Sequence, residues 1–268
     1  MVKVTAGLQQ EHCYYLDGYL VPQLEDIKKN VRKDYDGFIL CVGREGFGKT
    51  TLSLQSAMYV DPTFNLDRVV FTAEQFLEAV EKAEKYQAIV FDETMGYLSS
   101  RNAMSSFNKA LIKVMSEMRS KNLIVFLNIP NLFMMDWYVA THRSTGLLYV
   151  YKRSFFASYD YKKKARLYKE GKRHHSYHVP PTYRGKFVKY FPLDKEAYEK
   201  KKQKAVNSWI SGNKKEVTWK IQRDLCIKYI RENTDLTMEA IGNIMGLTKV
   251  QISTLLRQFE EKEKEDTE

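Results

Sequence analysis

The chain has few cysteines and no long apolar run. Its three cysteines, Cys13, Cys41 and Cys226, are odd in number, widely spaced and never form a CxxC pair. That pattern excludes a disulfide framework and a zinc ribbon. No stretch reaches the roughly 18 consecutive apolar residues that a membrane-crossing helix needs. The opening MVKVTAGLQQEHCYYLDGYL lacks the basic-then-apolar layout of a secretory leader, so a soluble, cytoplasmic protein without a membrane segment is expected. Acidic residues are the minority charge: 33 Asp+Glu stand against 43 Lys+Arg, a net charge of +10. Such an excess points to a polyanionic partner, a nucleic acid or a membrane surface.

At 268 residues the chain can bury a sizeable core, and the size prior suggests one large domain with a small appendage. Beyond an N-terminal extension, 1–33, short apolar runs alternate with helical segments, the pattern of a parallel α/β sheet. The runs are Phe38–Val42, Val69–Phe71, Ala88–Phe91, Leu123–Leu127 and Leu147–Tyr151, which predicts five strands flanked by helices. Thr72 and Gln75 form a capping-box pattern, and Phe107, Leu111, Val114, Met115 and Met118 recur at helical spacing as core-facing residues. From Lys152 the chain turns basic and Tyr-rich, and 152–191 reads as one or two β-hairpins inserted in a domain spanning 34–192. Residues 193–216 read as a charged helix and a Gly/Asn-marked linker, 217–259 as a small all-α domain, and 260–268 as a charged tail.

Gly43-Arg-Glu-Gly46-Phe-Gly48-Lys49-Thr50 matches G-x-x-x-x-G-K-[ST], the Walker A pattern of a P-loop, between a strand and a helix. Glycines let the loop turn its backbone N–H groups toward phosphates, and the following helix aims its positive end at them. The expected cofactors are ATP and Mg²⁺. Gly43, Gly46, Gly48, Lys49, Thr50 and Thr51 would bind the nucleotide, with Lys49 on the β- and γ-phosphates and the Thr50 hydroxyl on Mg²⁺. The run YQAIVFDET places Asp92 and Glu93 at the C-terminal end of a strand expected beside the first, as a Walker B motif. Asp92 would hold Mg²⁺ through water and Glu93 would polarise the attacking water, which predicts ATP hydrolysis. Asn128, ending LIVFLN, is placed to sense the γ-phosphate or orient that water. Arg143 is the first candidate for an arginine reaching a neighbouring subunit's site, ahead of Arg119 and Arg101.

These stretches, YDGFILCVGREGFGKTTLSLQ, AIVFDE and LIKVMSEMRSKNLIVFLNIPNLFMMDWYVATHR, resemble the additional-strand P-loop ATPases, which include the AAA+, RecA-like and FtsK–HerA families. The similarity covers about 34–151. It looks strongest to the small zonula-occludens-toxin-like and FtsK–HerA-like ATPases of viruses and plasmids. The resemblance implies a ring oligomer, a hexamer, that couples ATP turnover to movement or remodelling of DNA. By position Lys49, Thr50, Asp92, Glu93 and Asn128 match the family's roles.

LTMEAIGNIMGLTKVQISTLLRQF reads as a helix-turn-helix. Thr237 caps a helix whose inward residues would be Ala240, Ile241 and Ile244, with the small Ala240 allowing a close crossing. Gly246 turns the chain, and Thr248 caps a second helix packing Val250, Ile252, Leu255 and Leu256. Lys249, Gln251, Ser253, Thr254 and Arg257 would face DNA. Lys162, Lys163 and Lys164, among tyrosines, offer cations for duplex or single-stranded backbone phosphates. Three readings stay open: an ATP-driven DNA motor (translocase, helicase or packaging type); a loader or transposition helper recruiting a second protein of the same mobile element; and an ATP-switched DNA-binding regulator.

Overall fold

The computed structural model describes residues 1–92, 111–112 and 114–265, with side chains described outside 209–218, 221 and 260–265. The chain divides into two compact units, Met1–Val206 and Asn207–Glu268. Among the described residues no helix is long and apolar enough to cross a membrane.

The first unit is an α/β structure around a seven-stranded, mostly parallel sheet, two strands more than the sequence predicts. In chain order the strands are β1 (Val2–Ala6), β2 (His12–Leu16), β3 (Gly37–Gly43), β4 (Val69–Val70), β5 (Ala88–Asp92), β6 (Ile124–Ile129), β7 (Gly146–Lys152), β8 (Phe155–Tyr159) and β9 (Tyr183–Lys186). Spatial order in the large sheet is β4-β5-β6-β3-β7-β8-β9. Neighbours from β4 to β7 run parallel, and β8 and β9 add antiparallel at one edge. The sequence reading places the strand carrying Asp92 beside β3, whereas β6 lies between them.

Alternation along the central strands feeds two cores. Phe38, Leu40 and Val42 of β3 join Ile89 and Phe91 of β5 in one cluster, while Ile39 and Cys41 join Ala88 and Val90 in the other. Every residue of β3, β5 and β6 is buried, as a parallel sheet covered on both faces requires. Helix α2 (Lys49–Val60) contributes Leu52, Leu54 and Ala57 to one face. Helix α3 (Ala73–Lys82) contributes Phe76 and Val80 to the other, joined by Met115 and Met118 of the helical residues 114–120. Thr72 caps α3 as its sequence indicates, accepting from the Gln75 N–H at 3.3 Å. Phe107 lies outside the described residues.

Residues 1–33 are part of this body rather than an appended extension. The β1–β2 hairpin and α1 (Leu20–Val31) bury Val4, Tyr14, Leu16, Leu20 and Leu24 in the same cluster as α2. The basic Tyr-rich segment is only partly hairpin: β7 and β8 pair, and then α4 (Tyr161–Gly171) follows, capped by the Asp160 carboxylate on the Lys163 N–H at 2.9 Å. The cap and an apolar stripe of Leu167 and Tyr168 outweigh the β propensity of the tyrosines. The predicted linker is also helical, since α5 runs unbroken over Lys195–Asn233.

The second unit holds α6 (Met238–Met245) and α7 (Lys249–Glu265), joined through Gly246 in the left-handed conformation, φ 66°. Ile227, Ile241 and Ile252 form its buried core. Against expectation Ile244 and Val250 point outward, 65% and 73% exposed. The close approach is made at Gly242 rather than Ala240: a Cβ there would meet the Leu247 carbonyl oxygen at 2.5 Å.

Candidate functional site

The glycine loop leaves the end of β3 and enters α2 with Gly43, Gly46 and Gly48 at φ 141°, 73° and 100°. A side chain at Gly43 would drive its Cβ to 2.2 Å from the Val150 carbonyl oxygen, and one at Gly48 would press the Phe187 ring at 3.0 Å. Both the backbone angles and the space therefore demand glycine. Gly48 is the N-cap of α2, and no side chain among the described residues caps it, so the first helical N–H groups are open to an anion. The Lys49 ammonium donates to the carbonyls of Gly43 at 2.7 Å and Arg44 at 3.3 Å, folding over the loop.

Asp92, only 3% exposed, is the centre of the polar network at the strand ends. The Thr50 hydroxyl lies 3.0 and 3.1 Å from its two oxygens. The Asn128 amide donates to Asp92 Oδ1 at 2.8 Å, while its carbonyl oxygen accepts from the Ser53 hydroxyl at 2.5 Å. That second bond orients the amide. Tyr198 donates its hydroxyl to Asp92 Oδ2, and Lys202 Nζ stands 3.8 Å from the same oxygen. Burial, and after it the carboxylate, pushes the Tyr198 phenol well above its ordinary value, so it remains a donor. Burial pushes the Cys41 thiol up to about 12, which leaves it an inert neighbour beneath the loop.

A cleft of about 740 Å³ opens over these groups, with Thr51, Arg153, Phe187, Lys189 and Tyr190 among its walls. Its donors suit a polyphosphate: inward-turned backbone, a free helix N-terminus and several cations. Thr50 and Asp92 are hard oxygen donors of the kind a Mg²⁺ ion accepts alongside phosphate oxygens. Gly43, Gly46, Gly48, Lys49, Thr50, Thr51, Asp92 and Asn128 are thus brought to one place. Glu93 lies outside the described residues, as does Arg101.

Arg143 does not join them. Its guanidinium grips Asp36 through both terminal nitrogens, Nη1 to Oδ1 at 3.0 Å, and donates to the Met115 carbonyl at 2.9 Å. These contacts tie it within its own chain, whereas the sequence reading offers it to a neighbour. Arg119 is exposed. Of the three lysines proposed for nucleic acid, Lys162 is exposed, Lys163 donates to the Pro181 carbonyl at 2.9 Å, and Lys164 is fully buried against Ser144. Lys164 cannot reach a surface partner from there, and burial depresses its ammonium to about 7. In the second unit Lys249, Ser253 and Arg257 are exposed. Gln251 instead closes a capping box, its side-chain oxygen accepting from the Thr248 N–H at 2.8 Å.

Tyr198, Lys202, Ser53 and Arg153 escaped the sequence reading. Tyr198 sits 106 positions beyond Asp92 inside a charged stretch, with no local pattern marking it. Ser53 carried a weak signal, three residues after Thr50 on the same helix face.

No protein-family model matches the chain. No curated protein matches it by sequence.

Proposed function

We propose that this protein is a Mg²⁺-dependent ATPase that acts on DNA as a ring oligomer, a motor or remodeller of the additional-strand P-loop class. The observation that carries the reading is the junction of the glycine loop with the Asp92 network. Three left-handed glycines, a lysine folded over the loop and a hydroxyl on a buried carboxylate meet at the ends of β3, β5 and β6. The position of β6 between β3 and β5 supports this reading, since an added strand there is what the class name describes.

In this reading Lys49 moves its donors from the loop carbonyls to phosphate oxygens, and the open N–H groups of α2 hold the remaining charge. Thr50 and Asp92 would hold the cation, which would supply charge neutralisation at the phosphates. Glu93 takes a proton from the attacking water, and Asn128, oriented by Ser53, fixes the geometry around Asp92. The exposed Lys249, Ser253 and Arg257 contact DNA, and the net charge of +10 favours that partner.

The test is steady-state ATP hydrolysis with and without double- and single-stranded DNA, beside particle sizing in ATP. Stimulated turnover by ring-sized particles is expected. Tight DNA binding with negligible turnover and no assembly would favour the alternative of an ATP-switched DNA-binding regulator, and recruitment of a second protein without translocation would favour a loader.

A further inference from the structure

The first turns of α5 are docked against the wall of the site along one helical face. Tyr198, Lys201, Lys202 and Ala205 follow i, i+3, i+4, i+7 spacing. The Tyr198 ring, 3% exposed, packs with Phe71 at 5.6 Å and Phe191 at 5.1 Å between ring centroids. Lys201 Nζ donates to the carbonyls of Leu66 at 2.8 Å, Asp67 at 3.2 Å and Val69 at 2.8 Å, and Ala205 is buried. This face is thus held by ring packing and by a lysine on the chain entering β4. It meets the carboxylate through a hydrogen bond from the Tyr198 hydroxyl and the Lys202 ammonium at 3.8 Å.

Three hydrogen-bond donors share the carboxylate as it stands. Oδ1 accepts from Asn128, Oδ2 accepts from Tyr198 with the Lys202 ammonium behind it, and the single Thr50 proton is shared between the two oxygens. A divalent cation held through Oδ2, directly or by its hydration water, competes there with the Tyr198 proton and the Lys202 charge, and both side chains line the cleft. Asn128 is pinned by Ser53 at its other end, and Thr50 is itself a ligand candidate. Tyr198 and Lys202 are the donors left to yield, and both belong to α5.

We propose that Tyr198 is a positioning residue for Asp92 whose hydroxyl yields Oδ2 when Mg²⁺ and nucleotide enter, so that occupancy of the site is read by α5. This rests on the ATPase reading above. The same helix runs on to Asn233 and supplies Ile227 to the apolar core of the second unit.

Two measurements test this on the full-length protein. The first is Mg²⁺-dependent binding of a fluorescent ATP analogue to wild type and Tyr198→Phe, which keeps the ring packing and removes the hydroxyl. About three- to tenfold tighter binding with Mg²⁺ is expected in the variant, with Mg²⁺-free binding unchanged, the scale of one hydrogen bond. The second is amide hydrogen exchange of wild type, where exchange over 196–206 should rise on adding Mg²⁺ and a non-hydrolysable ATP analogue and stay constant in Lys49→Ala. Nucleotide binding with unchanged exchange over 196–206 and unchanged Mg²⁺ dependence in Tyr198→Phe overturns the proposal and leaves the ATPase reading standing. A wild type that binds no nucleotide overturns both.

Discussion

Asn128 stands with its amide nitrogen 2.8 Å from Asp92 Oδ1 and its oxygen on the Ser53 hydroxyl, so one planar group links α2 to the ends of two adjacent strands. Asn128→Ala removes a partner from both buried groups at once. The expected loss is about 1–3 kcal/mol of stability, read as a lower urea midpoint. Ser53→Ala frees the amide to rotate and should lower turnover more than nucleotide affinity.

Lys49 donates to backbone carbonyls of its own loop, a contact that water replaces easily. Lys49→Ala should leave the melting temperature nearly unchanged while hydrolysis falls on the order of 100-fold or more. Glu93→Gln should keep nucleotide bound and stop turnover. If DNA-dependent turnover persists in Glu93→Gln, another residue activates the water.

Lys164 introduces a pH dependence of folding. Its ammonium, about 10.5 when exposed, is depressed to about 7 by burial against Ser144. Between those values the unfolded chain binds a proton that the folded chain lacks, so stability rises with pH across the window and the penalty is fully present below about 7. From pH 7 to pH 9 the contribution is about 2 kcal/mol. Lys164→Met should flatten that rise in denaturant titrations at the two pH values, and should raise stability at pH 7.

Gly242 and Gly246 separate two reasons for glycine. A methyl at Gly242 meets the Leu247 carbonyl oxygen at 2.5 Å, whereas one at Gly246 meets nothing within 4 Å and carries only the cost of φ 66°. Gly246→Ala should cost about 1 kcal/mol. Gly242→Ala should cost more, about 1–3 kcal/mol, enough to unfold a bundle whose core is Ile227, Ile241 and Ile252. Loss of DNA binding with retained basal ATP hydrolysis would be the readout.

Much of the candidate phosphate site is readable from the sequence. A glycine's tolerance of positive φ, a lysine next to a helix start and an apolar run ending in Asp are local properties, visible in a dozen consecutive residues. Gly43 to Thr50 accordingly lie between a strand and a helix, and Asp92 ends an apolar strand, although β6 separates that strand from β3. The central strands were legible for the same reason, because a buried strand is a short apolar run. Strands β8 and β9 were harder, since an edge strand of mixed residues resembles a loop until a partner strand pairs with it.

The amino-acid sequence by itself determined the loop, the parallel strands, the caps at Thr72 and Thr237, and the excess of positive charge. Only the tertiary structure decided which distant side chains meet them. Tyr198 reaches Asp92 across 106 positions, and Arg143 reaches Asp36 across 107, because sheet order and helix docking bring them together. Ile244 shows the same limit within the short α6, and Val250 shows it at the start of α7. Periodicity alone leaves the phase of an eight-residue element open, and the neighbour it packs against sets which face turns inward. Local conformational preference is written residue by residue, whereas a site assembled from several elements exists only once burial of the two cores has fixed their arrangement.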